Sequence, residues 1–215
     1  KLKIDGELYY SHRMDRFAFR ETRYINSHID FEEYMDSRRR FQKTWLDPGN
    51  KLRIYDYVRE HGIFDARDGN PHIVHIEITD TYGNSSELEF TIQSGFKNPD
   101  KIKKSNHTAR FHYRKTNRFQ NDNMYLEIPE GGLYRDLLFK YKKKPTGGLF
   151  FSDIHIIHND RVPLHERAEL KIKPQNLPEE LYSKVMMVKV DTTSIEHNSA
   201  GGMYQNGWVV SSIRS

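Results

Sequence analysis

From His72 to Ile92 apolar and polar side chains alternate with a period of two, interrupted once by Thr81-Tyr82-Gly83-Asn84. That period belongs to a strand, whose successive side chains point to opposite faces. His72, Val74, Ile76 and Ile78 share one face, and Leu88, Phe90 and Ile92 return on it after the turn. The stretch is expected to be a hairpin with one buried face, like the last two strands of an immunoglobulin-like sandwich. Gly83 can take the positive φ that a tight turn needs, and Asp80 can accept backbone N–H groups two or three residues on. The same Asp80, with Asn84, offers oxygen to calcium. Two side-chain oxygens fall short of the ~6–8 ligands calcium takes, so a register-fixing turn is the expected role.

The rest of the chain follows the same rhythm. "KLKIDGELYY" reads as a strand or hairpin, and "SRRRFQKTWL" (Ser37 to Leu46) as a strand with Arg38 to Arg40 in solvent. "LDPGN" (Leu46 to Asn50) is a turn. "KLRIYDYVREHG" reads as one short helix, with Leu52, Tyr55 and Val58 on one face and Gly62 as its stop. Further on, "ARFHYR", "MYLEI", "LFFSDIHIIHND", "RAELKIKP", "SKVMMVKVD" and "GWVVSSIRS" read as strands separated by turns. The last one is expected to lack a closing partner, with this sandwich truncated at its C-terminal edge. "SGFKNPDKIKKSNHT" (Ser94 to Thr108) is polar and without apolar period. The expected organisation is all-β: an Ig-like sandwich over residues 1–94, a linker over 95–108 and a second sandwich over 109–215. The first holds at most one short helix.

Composition fits this and excludes other classes. Aromatics make up 13% of a chain that is only 36% apolar, the mixture of a small β-sandwich. The net charge of +4 over 215 residues, with both signs interleaved, argues for no nucleic-acid partner. The lysines at 101–104 and 140–144 read as solvated loops. No apolar run reaches the ~18 residues of a membrane helix. With no cysteine there is no disulfide, thiolate zinc site or cysteine nucleophile.

The histidine pairs raise the question of a metal. His72 and His75, and His155 and His158, are each three apart. On a strand such positions point to opposite sides, so neither pair converges on one ion. Asp153 and His155 are two apart and can share a face, which suits a surface hydrogen bond. No nucleophile elbow, phosphate loop or H-E-x-x-H is present. The expectation is no catalytic, cofactor or metal residue in this chain, with Trp45 and Trp208 in the cores.

Taken together, "DRFAFRETRYINSHIDF", "LDPGNKLRIYDYVREHGIF" and "HIVHIEITDTYGNSSELEFTI" resemble the region that follows the catalytic domain in lysostaphin-type zinc endopeptidases of Gram-negative envelopes. "YLEIPEGGLYRDLLFKY" and "SAGGMYQNGWVVSSIRS" continue the resemblance. The second half also resembles the ZU-type sandwich of ankyrins and netrin receptors, through a strand followed by I-P-x-G-x-L at Ile128 to Leu133. The endopeptidase family binds zinc in an upstream domain through H-x(n)-D and H-x-H motifs, and none of the eleven histidines here forms H-x-H. The resemblance therefore implies a non-catalytic accessory segment of a periplasmic or envelope murein hydrolase, cut from a longer chain that carries the peptidase. Its implied partners are peptidoglycan, envelope proteins and that peptidase domain. A free-standing carbohydrate-binding or adhesive sandwich is the alternative.

Overall fold

The structure, a computed structural model, describes residues 1–15, 18–95, 106–190 and 197–214. The chain divides into two compact units, residues 1–104 and 105–215. Most of the expected linker, with Lys101 to Lys104, lies outside the described residues. The chain is all-β, built from antiparallel ladders with two short α-helices among the described residues.

The first unit holds β1 (Leu2–Ile4), β2 (Glu7–His12), α1 (Ile25–His28), α2 (Phe31–Ser37), β3 (Tyr55–Val58), β4 (Pro71–Thr79) and β5 (Ser85–Gln93). Its strands form one sheet in the order β3-β2-β1-β4-β5. Asp5 and Gly6, at φ 51° and 81°, join β1 to β2; a two-residue turn of this hand matches the strand twist. Leu2 pairs with Tyr10 but Lys3 with Leu8, leaving Tyr9 as an extra residue. This bulge explains why consecutive Tyr9 and Tyr10 are both buried.

The layer against this sheet is helical turn and coil. His28 meets His12, and Phe64 meets both Tyr9 and His72, by ring contacts. Three local expectations are corrected here. Residues 51–62 are not a helix: Leu52 and Ile54 are buried at period two, Tyr55–Val58 is a strand, and a 3-10 turn follows at Glu60–Gly62. Ser37 to Leu46 is not a strand beyond one isolated bridge, Ile29 to Gln42. The helices lie instead at 25–37, two where at most one was expected. Asp30 caps α2 by accepting the Glu33 N–H at 3.1 Å, and Arg38 ends it in the left-handed region.

The hairpin of β4 and β5 has the expected register, Ile76 opposite Leu88 and Val74 opposite Phe90. Its apolar face is buried only at Val74. Leu88 and Phe90 remain exposed because β5 is the edge strand and nothing described covers its end.

The second unit holds β6 (Ala109–Phe111), β7 (Asn117–Gln120), β8 (Met124–Ile128), β9 (Leu137–Phe139), β10 (Tyr141–Lys144), β11 (Ile154–Ile157), β12 (Ala168–Ile172), β13 (Met187–Val190), β14 (His197–Gly201), β15 (Met203–Gln205) and β16 (Trp208–Ile213). A five-stranded sheet runs β15-β16-β12-β8-β7, and β6-β9, β10-β11 and β13-β14 form shorter ladders. The core lies between them: Met124, Leu126, Ile128, Leu170 and Val209 from the large sheet meet Phe111, Phe139 and Met187 from the ladders. The final strand does not lack partners, since β16 pairs with both β12 and β15.

Candidate functional site

The sequence pairs do not form a site. His72 donates toward Asp5 at 2.7 Å and Asp68 at 3.0 Å, while His75 reaches Glu87 at 3.5 Å. The hydrogen bonds to Asp5 and Asp68 raise the His72 pKa and lower those of both carboxyls. His72 thus bridges the β1–β2 turn and the loop before β4 through the Asp5 and Asp68 carboxylates. In the second unit His155 contacts the Tyr141 hydroxyl at 2.9 Å, and His158 Nδ1 accepts the Lys140 N–H at 3.2 Å. Asp153 does not meet His155; it pairs with Lys143 at 3.1 Å. Among the described residues no three His, Cys, Asp or Glu side chains gather to hold a metal ion.

Sequence reasoning missed the polar cluster that the fold does assemble. His12 ends β2 and His28 ends α1, sixteen positions apart, so no motif joins them. Their ring centres lie 5.0 Å apart. Tyr10 packs on His12 at 5.5 Å and on Tyr55 at 5.9 Å, and Tyr55 packs on His28 at 5.8 Å, closing a ring of four rings. The Tyr55 hydroxyl accepts from Asn50 Nδ2 at 3.0 Å and sits 3.2 Å from His28 Nδ1. Burial pushes the His28 pKa down to about 4 and lowers that of His12, while it raises Tyr55 to about 12. Gln42 reaches both imidazoles and opposes the effect of burial on them. Even so, His12 Nδ1, His28 Nε2 and the Tyr10 hydroxyl are buried without a hydrogen-bond partner. Beside them Lys43 pairs with Asp47 at 2.7 Å, and Ser27 donates to the same carboxylate oxygen at 2.7 Å, all within the protein interior.

The I-P-x-G-x-L stretch is a packed turn. Ile128 ends β8 in the core, Gly131 takes φ 74°, and Leu133 is buried and bridged to Leu164. A Cβ on Gly132 would stand 2.7 Å from Ile128 Cγ2 and 2.9 Å from the Pro129 carbonyl oxygen. The Gly132 carbonyl accepts the His165 N–H at 2.9 Å. Trp45, expected in a core, is 38% exposed, with Lys43 Nζ 5.5 Å from its ring centre; Trp208 is half-buried.

The second unit is thus a β-sandwich closed by a packed I-P-x-G-x-L turn. The Zu5-like domain matches residues 108–215, half of the chain, and the chain belongs to that family. No curated protein and no solved structure matches it.

Proposed function

We propose that this chain is the positioning module of a cell-envelope peptidoglycan metallopeptidase, exported to the periplasm and working beside a peptidase domain of the same polypeptide. The Zu5-like match carries the accessory role. The sequence resemblance of both halves to the region following lysostaphin-type catalytic domains supports the enzyme it serves. The first unit supports a role in contact, because among the described residues nothing pairs with its β5 edge and Leu88 and Phe90 are exposed. The exposed rings of Trp45, Tyr57 and Tyr82 are what would serve the sugar-binding alternative by stacking.

Two measurements test this reading. Purified chain incubated with sacculi should release no soluble muropeptide; release that persists through repurification overturns the non-catalytic role. The coding sequence upstream of Lys1 should contain H-x(n)-D and H-x-H motifs. Their absence removes the link to a peptidase while leaving the accessory module standing.

A further inference from the structure

We propose that the β5 edge of the first unit docks an extended segment of a partner protein that alternates basic and apolar residues. The segment adds to the five-stranded sheet as a further strand. This rests on the contact role proposed above and names the partner it takes; it does not depend on a peptidase.

β5 lacks the devices that usually shield a sheet edge. Such edges are kept short, bulged, or studded with lysine or proline. β5 runs nine residues, Ser85–Gln93, without lysine, arginine, proline or glycine. Its ladder with β4 is regular from end to end. Every residue from Ser85 to Thr91 is exposed. The opposite edge of the same sheet is guarded. There β3 has four residues, its pairing slips between Ser11 and His12, and it runs into the left-handed Glu60 and His61.

The backbone of β5 is turned for pairing. Glu77 donates its N–H to the Lys1 carbonyl, and the Ile73 carbonyl accepts from Asp5, so the odd-numbered residues of β4 face β1. Hydrogen-bonding direction alternates along an antiparallel strand, so the even-numbered ones face β5. Their partners there are Leu88, Phe90 and Ile92. Glu87, Glu89 and Thr91 therefore direct their N–H and C=O groups to the open side.

Charge sets the chemistry of the partner. Glu87 and Glu89 share the face of Glu77. Glu87 meets His75 at 3.5 Å, and among the described residues Glu89 has no ion-pair partner. Leu88 and Phe90, 58% and 41% exposed, lie on the other face. An arriving strand thus meets carboxylates on one side and apolar groups on the other. β1 shows how this sheet answers such a pattern. With the residue before it, β1 reads Lys1-Leu2-Lys3-Ile4; Leu2 pairs with Ile76, Ile4 with Val74, and Lys1 Nζ reaches Glu77 at 3.1 Å. β4 has its strand of alternating lysines, while β5 carries two carboxylates and has none among the described residues. In strand addition of this kind main-chain bonds supply affinity and alternate side chains supply specificity. A second copy of β5 fits worse. Self-pairing about Glu89 sets two carboxylates directly opposite, and self-pairing about Phe90 sets them diagonal.

The test uses the full chain, isotope-labelled, with a capped synthetic peptide Lys-Leu-Lys-Ile-Lys-Val-Lys. Binding should slow hydrogen exchange at the Glu87, Glu89 and Thr91 amides and shift their resonances. Glu87→Lys with Glu89→Lys alters only exposed positions, so the double variant should fold and bind about tenfold more weakly or worse. A peptide with glutamate at each lysine should not bind. A lysine peptide N-methylated at alternate bonds keeps its charge, loses its ladder, and should not bind either. Failure of the lysine peptide to protect those amides overturns the proposal. Equal binding of the N-methylated peptide overturns it too, by showing plain charge attraction. So does a concentration-dependent dimer of the chain alone that protects the same amides, because a second copy then holds the edge. The sacculus and coding-sequence measurements decide the accessory role separately, so the two readings fail apart.

Discussion

Asp80 and Asn84 close the β4–β5 hairpin on each other. One oxygen of Asp80 accepts the backbone N–H groups of Tyr82 and Asn84 at 2.8 and 2.9 Å, and the other accepts the Asn84 side-chain amide at 2.8 Å. Gly83 sits between them at φ 88°. Both carboxylate oxygens are thus engaged by the turn itself, and the hydrogen bond from the Asn84 amide is the main reason the Asp80 pKa is lowered.

Calcium should accordingly leave the melting temperature of the chain unchanged, whereas Gly83→Val should lower it by straining the left-handed position, at a cost of ~1–2 kcal/mol. Differential scanning calorimetry with and without calcium checks both. A calcium-dependent rise that disappears in Asp80→Ala would refute the structural role.

Gly131 and Gly132 should respond differently to alanine. Gly131→Ala meets open space and costs only the strain of φ 74°, ~1 kcal/mol. Gly132→Ala drives a methyl into Ile128 and the Pro129 carbonyl and should cost more, ~1–3 kcal/mol. Urea denaturation of the two variants ranks them. Equal losses would mean that the turn yields where the packing indicates it cannot.

The buried Lys43–Asp47 pair should be costly to break from one side. Lys43→Met leaves the Asp47 charge unpaired in the interior and should destabilise the first unit by ~3–5 kcal/mol. Adding Asp47→Asn removes the stranded charge and keeps an acceptor for Ser27, so the double variant should recover much of the loss. A double variant less stable than Lys43→Met alone would contradict this account.

His72 predicts a window of pH. Its folded pKa is raised, so its contribution is complete below the ordinary histidine value and is lost as pH rises through the folded one. The Asp5 and Asp68 pKa values are lowered, so their share is complete above the ordinary carboxylate value and is lost as pH falls through the folded ones. The stability difference between wild type and His72→Gln should therefore be largest between about pH 4 and 6.5, the ordinary values of the two groups. Midpoints of urea denaturation taken from pH 3 to 9 trace it. A difference flat in pH would show that the bridge is not ionic.

The sequence made strands legible where they alternate and are bounded by turns, as at His72 to Ile92 or Met124 to Ile128. It misled where cover and propensity part company. Residues 51–58 carry apolar side chains at both helical and strand spacing, and burial of Leu52 with Ile54 decides for the strand. The cap at Asp30 was readable from D-x-x-E, but a seven-residue helix carries too few apolar repeats to stand out. Parity puts His72 and His75 on opposite faces, and the two rings reach different carboxylates. It had nothing to say about His12 and His28, which come together only because the coil after β2 folds back over the sheet.

The sheet order of the second unit has a consequence for how it is made. Its central strand β12 pairs with β8 on one side and with β16 on the other. Until residues 208–213 have left the ribosome, β12 presents one bare edge, and Val209 is missing from the core. The β4–β5 hairpin joins neighbours in sequence and can close within ~1–10 μs of being synthesised. The first unit can thus be complete while the second still waits for its last strand, and for that interval the open side of β12 is where a nascent chain of this family is most exposed to mispairing.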